Sequence, residues 1–333
     1  MSAFSVVPKN LNGPLSSPCE VRVNLRIAYF ISLRVGRSEL STSEAEQYRQ
    51  MAQDVLGHTV PARSWRTRMT TLVFPPGILD TKITVDADSA GAPWEFIWGS
   101  SWSLDKNPYF VGRVTRENQP SPLPPWRRPV ELLTWGDSRR RFWPQDWDQN
   151  YVSRPVLLQS TISEEPAGQR AGILQIIGAP LDSGSAGLVV AISDSAQGSY
   201  SVRPEEIKSR FGTLRLCILQ SPTAETRTRF ASDRTDAAIA KRIGAEIFRS
   251  GIPIVIVIPV LPEEAAADLL EGIQKVLIQA PRNAVPYLKR AIHSFRVSFW
   301  KKQETEMEKE DALEMGSDIC IYARDRVSFE LET

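Results

Sequence analysis

The sequence predicts an α/β fold: a largely parallel sheet flanked by helices, preceded by a β-rich N-terminal region. Two observations predict it. From about residue 128 onward, apolar strand-like segments alternate with helical ones, the pattern that yields parallel strands joined by helical crossovers. Within that region IPIVIVIPV (252–260) is β-branched and apolar at nearly every position, as a strand covered by helices on both sides must be.

The elements follow in order. Residues 1–19 are rich in Ser, Pro, Asn and Gly and are expected to form a flexible arm. CEVRVNLRIAYFISLRV (19–35) alternates like a strand, and STSEAEQYRQMAQDVLG (41–57) reads as a helix capped by Ser41 or Ser43 and stopped at Gly57. SWRTRMTTLVF (64–74) and TKITVDAD (81–88) are further strands. After a Trp- and Pro-rich stretch come strands at 128–136, 154–162 and 172–180, with a short, partly helical piece at 139–151. Residues 187–207 read as a hairpin turning at Asp194, Ser195 and Gly198, then a short helix that starts at a proline and ends at a glycine. LRLCILQSP (214–222) is the fourth core strand, and 232–251 is the clearest amphipathic helix, stopped by Gly251. Helices follow the 252–260 strand at 261–278 and 281–300, then a charged helix or linker at 301–316 and closing strand-like residues in ICIYARDRVSFEL. Three regions result: an arm over 1–19, a β-rich region over 20–127 and an α/β domain over 128–333.

Composition narrows the function. The net charge of +1 supplies no overall field for nucleic acid or an anionic membrane. No apolar run reaches the roughly 18 residues of a membrane span. The first residues, MSAFSVVPKNLNG, lack the charged, apolar and small-residue segments of a signal peptide. Cys19, Cys217 and Cys320 are too far apart to suggest a disulfide framework or a zinc site. A reducing, cytoplasmic setting is expected. With no GxxxxGK[ST] and no GxGxxG, no nucleotide cofactor is expected.

In open α/β sheets the loops after the central strands host function. Two such loops stand out: the one after GILQIIG, with Ala179, Pro180, Asp182 and Ser183, and the one after LRLCILQ, with Ser221, Pro222 and Thr223. Neither holds a histidine to activate a hydroxyl. The chain has only His58 and His293, both read as surface or cap residues. Cys217 and Cys320 lie within apolar strands and are expected to be inert core thiols. Seven of the nine tryptophans fall between Trp94 and Trp147 among arginines. That mixture suits single-stranded nucleic acid, but interleaved acidic residues dilute it, and pinning of a Pro-rich segment onto the core is the expected role.

Taken in order, these segments resemble the CHAT domain, a caspase-like cysteine peptidase family. APWEFIWG (92–99) and NPYFVGRVTR (107–116) look like its Pro-Trp-Glu signature and the Arg-ending strand after it. ILQIIGAP with the hairpin and short helix resembles its His-strand region, and LRLCILQSPTAE resembles its Cys-strand. GIPIVIVIPVLPEEAAADLL resembles the stretch ending in the family's Pro-Val-x-Asp turn. The resemblance implies a histidine at Ala179 and a cysteine at Pro222, with Gln220 and Ser221 matching the pair before that cysteine; both members of the dyad are absent. It thus implies a catalytically inactive pseudo-protease that binds a protein partner such as a protease, sensor or substrate. A regulatory or scaffold role in a prokaryotic defence or programmed-death system follows from the same resemblance. The vestigial cleft would comprise Asp182, Ser183, Gln220, Ser221 and Thr223. No cofactor, nucleic acid or membrane is expected to take part. The alternative is a hydrolase with an unconventional or partner-completed site, which would need a base such as His58 or His293 beside Ser221.

Overall fold

The structure is a computed structural model that describes residues 4–7, 19–22, 31–33, 79–84, 90, 95, 109–115, 125–126, 128–136, 149–156, 171–182, 187–194, 198–211, 214–222 and 233–332. The chain divides into two compact units, residues 1–116 with 296–318, and residues 117–295 with 319–333. Residues 296–318, assigned to the α/β domain from sequence, therefore belong to the first unit.

In the first unit the strand order is β3-β1-β2-β4-β5, with β1 Phe4–Val7, β2 Cys19–Arg22, β3 Ile31–Leu33, β4 Leu79–Thr84 and β5 Tyr109–Val114. The expected flexible arm thus contains a strand. β1 pairs antiparallel with β2, placing Val6 opposite Val21, and parallel with β3. The apolar alternation Phe4–Val6 suffices for this despite the polar composition around it. β2, β4 and β5 run parallel to one another. The helix expected at 41–57 and the strand at 64–74 lie outside the described residues.

The second unit is mixed α/β, with strand order β14-β13-β12-β8-β6-β7. These strands are β6 Val130–Trp135, β7 Tyr151–Val156, β8 Ala171–Ile177, β12 Leu216–Gln220, β13 Ile254–Ile258 and β14 Cys320–Ala323. All pair in parallel except β14, which is antiparallel to β13. Every residue of β12, β13 and β14 is buried, as their largely apolar sequences lead one to expect. Between β8 and β12 a second, three-stranded sheet forms from β9 Ala179–Asp182, β10 Leu188–Asp194 and β11 Gly198–Val202.

Helices cover both faces. α1 Pro204–Phe211 begins at proline, with Glu205 and Glu206 in its first turn and Lys208 and Arg210 in its last, each sign matched to the helix dipole. α2 Asp233–Arg249 crosses the face holding Val257 and Tyr322; a Cβ on Gly244 would strike both side chains, and Tyr322 Oη donates to Lys241 C=O at 2.8 Å. α3 Glu263–Gln279 turns Leu269, Leu270, Ile273 and Leu277 inward. It lies on the opposite face, where its Leu277 C=O accepts from Tyr151 Oη. α4 Val285–Lys301 packs beside it, with Ala291 Cβ 3.7 Å from the place a Gly272 Cβ would occupy. α5 Glu306–Asp318, in the first unit, opens on a reciprocal cap. Glu308 N–H donates to Thr305 Oγ1 (3.2 Å) and Thr305 N–H donates to Glu308 Oε2 (3.0 Å). The bond from the Thr305 N–H, followed by one from the Thr305 hydroxyl, holds the Glu308 carboxyl below its usual pKa. No described helix is long and apolar enough to cross a membrane.

The strand expected at 19–35 is two strands, β2 and β3, which lie on either side of β1. In the second unit two elements depart from expectation. The strand expected at 154–162 begins earlier, at Tyr151, and contains Pro155. The loop expected after GILQIIG is strand β9, in which Ala179 opposes Ala191 and Asp182 opposes Leu188.

Candidate functional site

The carboxyl ends of the parallel strands converge on two main-chain bonds. Gly178 N–H donates to Gln220 C=O at 3.0 Å, and Ser221 N–H donates to Ile258 C=O at 2.9 Å. The first extends the β8–β12 ladder by one residue. Ala179 lies one residue beyond the donor, and Pro222 two residues beyond the acceptor. The two strand ends singled out in the sequence are therefore adjacent in the fold.

Glycine makes this junction possible at two places. Gly136, just past β6, has φ +133°, and a Cβ there would lie 2.5 Å from Ile177 C=O. A Cβ on Gly178 would lie 2.6 Å from Val190 Cγ1 and 2.8 Å from Ala191 C=O. Gly178 is the hinge at which the chain leaves the main sheet and enters the small one; only hydrogen fits between those atoms.

A polar ladder leads to the same edge. Thr134, Gln175 and Gln220 come from β6, β8 and β12. In-register pairing of Thr134 with Gln175 and of Gln175 with Ile218 puts all three side chains on one face. Thr134 Oγ1 donates to Gln175 Oε1 (3.5 Å), and Gln175 Nε2 donates to Gln220 Oε1 (2.7 Å). Both glutamines are 1% exposed. Gln175 was not recognised from sequence. The signal was a single polar residue inside the apolar run GILQIIG, since a buried amide in a two-sided strand must find a partner.

The opposite face at this edge carries an aromatic cluster, also unanticipated. Trp135, at the end of β6, meets Phe211 edge-on with centroids 5.3 Å apart and Tyr200 at 5.9 Å. Arg210 lies 5.6 Å from the Trp135 ring and 5.0 Å from the Tyr200 ring, and donates to Tyr200 Oη. These contacts fasten α1 and β11 over β6.

The remaining sequence-predicted residues are dispersed. Asp182 forms an ion pair with Arg242 of α2 at 2.9 Å, with both side chains more than a third exposed. Ser221 is buried. Ala179 and Pro222 are half-buried. Ser183, Thr223 and His58 lie outside the described residues. Cys217 is fully buried within β12, and burial pushes its thiol far above the ordinary range, leaving it neutral and unreactive. Cys320 is buried likewise. His293, expected at a surface or cap, is instead buried within α4. Its neighbours Ile292 and Phe295 are core residues of the same helix, and burial of a helix face depends on what packs against it. Among the described residues no three His, Cys, Asp or Glu side chains are grouped to hold a metal.

Of the tryptophans in the 94–147 stretch, Trp126 and Trp135 are described, and both are buried. Trp126 stacks on Phe329 with centroids 4.6 Å apart, and Arg215 lies 5.2 Å over its ring. The arginines against these rings, Arg210 and Arg215, come from later in the chain.

No protein-family model matches the chain, and no curated protein matches it.

Proposed function

We propose that the α/β unit is a caspase-like, CHAT-type fold without its catalytic dyad, acting by binding as a regulatory or scaffold subunit. The observation that carries this reading is the junction at the Gly178–Gln220 bond. The two positions that the resemblance assigns to histidine and cysteine flank one hydrogen bond at the carboxyl edge of a parallel sheet, and they are alanine and proline. Alanine accepts no proton, and proline supplies neither nucleophile nor N–H. The framework around them is kept: glycine hinges, a satisfied amide ladder and helices on both faces. Such an edge suits a rigid contact surface for a protein partner. The role in a prokaryotic defence or programmed-death system rests on the resemblance alone.

The test is affinity capture of the full chain from its native host, read by mass spectrometry, with Ala179→Arg and Pro222→Glu beside it and Arg290→Glu as a remote control. The expected result is a defined partner retained by the wild type and by Arg290→Glu but lost from the two edge variants. A partner indifferent to both edge variants would move the interface elsewhere. Peptide hydrolysis by the purified wild type, abolished by Ser221→Ala, would replace this reading with an enzymatic one.

A further inference from the structure

We propose that Pro155 keeps the outer edge of β7 from pairing with a second copy of this chain. β7 stands last in the strand order, and among the described residues β6 is its one strand neighbour. Their parallel register sets Val130 against Tyr151, Leu132 against Ser153 and Thr134 against Pro155. Val130 N–H donates to Asn150 C=O at 2.7 Å, and that bond fixes the phase of the ladder. In a parallel pair the N–H and C=O of one residue point to the same side, and successive residues alternate sides. Asn150, Val152, Arg154 and Val156 therefore turn their main chain toward β6. Ser153 and Pro155 turn theirs away.

The proline thus occupies a position where the amide it lacks would have pointed outward. The β6–β7 ladder loses nothing, while the outer row loses a donor. Ser153 and Pro155 are both exposed, so the edge can be approached at these two residues. An exposed edge is a template for another strand, and proline is one of the devices that blunt it.

The strand it is blunted against is its own copy, because the outward row is self-complementary. In two-fold antiparallel pairing that sets Ser153 opposite residue 155 of the other copy, an ordinary residue at 155 would let each copy donate from both positions. With proline each copy donates from Ser153 alone. Half the bonds of that pairing are absent, and the ring stands where the second strand would approach.

The test uses Pro155→Thr, which restores the amide and favours strands, and the double variant Ser153→Pro/Pro155→Thr, which moves the proline to the other outward position. Mass is read by light scattering during size exclusion over a range of concentrations. Pro155→Thr should show a concentration-dependent rise toward twice the wild-type mass, and the double variant should return to wild-type behaviour. Pro155→Val serves as a second single variant if the threonine form expresses poorly. Single variants that match the wild type at every concentration would overturn the proposal. So would a double variant that associates as strongly as the single one.

Discussion

Arg113 holds both carboxylate oxygens of Glu95: Nε donates to Oε1 at 2.7 Å and Nη2 donates to Oε2 at 2.5 Å, with both side chains fully enclosed. Its third donor, Nη1, reaches Ala90 C=O at 2.6 Å. The fork geometry ties the APWE segment to β5, two stretches 18 residues apart in the chain. Breaking a buried pair by removing one partner strands the other charge, at a cost of about 3–5 kcal/mol. Glu95→Gln and Arg113→Lys should therefore both destabilise the first unit heavily. Lysine fails because a single ammonium cannot span two oxygens and a carbonyl. Denaturant unfolding of the two variants checks this, and wild-type midpoints in both would contradict it.

The Thr134–Gln175–Gln220 ladder predicts strong coupling. Gln175→Leu leaves the Gln220 carbonyl oxygen without its donor, and an orphaned buried polar group costs about 1–3 kcal/mol. Gln220→Leu does the same to the Gln175 amide. In Gln175→Leu/Gln220→Leu both members of the pair go, so the loss should be well below the sum of the single losses. A double-mutant cycle by urea denaturation measures the coupling. Additive losses would mean that the two amides do not depend on each other.

Periodicity made the interior of the second unit legible. The apolar-rich strands β12 and β13, the hairpin β10–β11 and helices α1 to α3 follow the sequence pattern closely, because each has a pattern that only one local structure satisfies. The failures share a cause: their structure is decided by what lies across from them. Pro155 looked like a strand start, but a proline can sit inside an edge strand if its missing amide faces outward. Ala179–Asp182 looked like a loop, and it becomes a strand because β10 offers it a partner. The adjacency of the two strand ends that carry Ala179 and Pro222 was legible, because both follow apolar core-strand segments of one parallel sheet. The ladder behind Gln220 was not, since pairing two glutamines 45 residues apart requires the β8–β12 register.

The hinge between the two sheets should not tolerate a side chain. A methyl at Gly178 would press on Val190 Cγ1 and on the Ala191 carbonyl oxygen, and the latter belongs to a β10 residue already paired with Ala179. A flexible side-chain end can move aside, whereas a paired carbonyl cannot do so without opening β9 from β10. Gly178→Ala should destabilise by more than the roughly 0.4–1 kcal/mol that a glycine replacement gains where the methyl fits. It should also raise hydrogen exchange selectively at β9 and β10 amides. A neutral effect on stability, with unchanged exchange there, would show that the small sheet is free to shift.

Cys217 yields a prediction in pH. Burial raises its thiol pKa in the native chain, while the unfolded chain keeps an ordinary value near about 8.5. Below that value both states hold the proton and the residue adds no pH dependence. Above it the unfolded chain releases the proton and the native chain retains it, so stability falls as pH rises. Arg215, lowered to about 10 by burial, would contribute with the opposite sign at higher pH. The useful window therefore lies between pH ~8 and ~9.5. Across it, the urea midpoint of the wild type should drop more steeply than that of Cys217→Ala. Alkylation mapped by peptide mass should leave Cys217 unmodified in the native chain throughout the window and modify it once urea unfolds the protein. Rapid native alkylation at Cys217 would mean that β12 opens to solvent, and would reinstate its thiol as a group able to do chemistry three residues from the strand end.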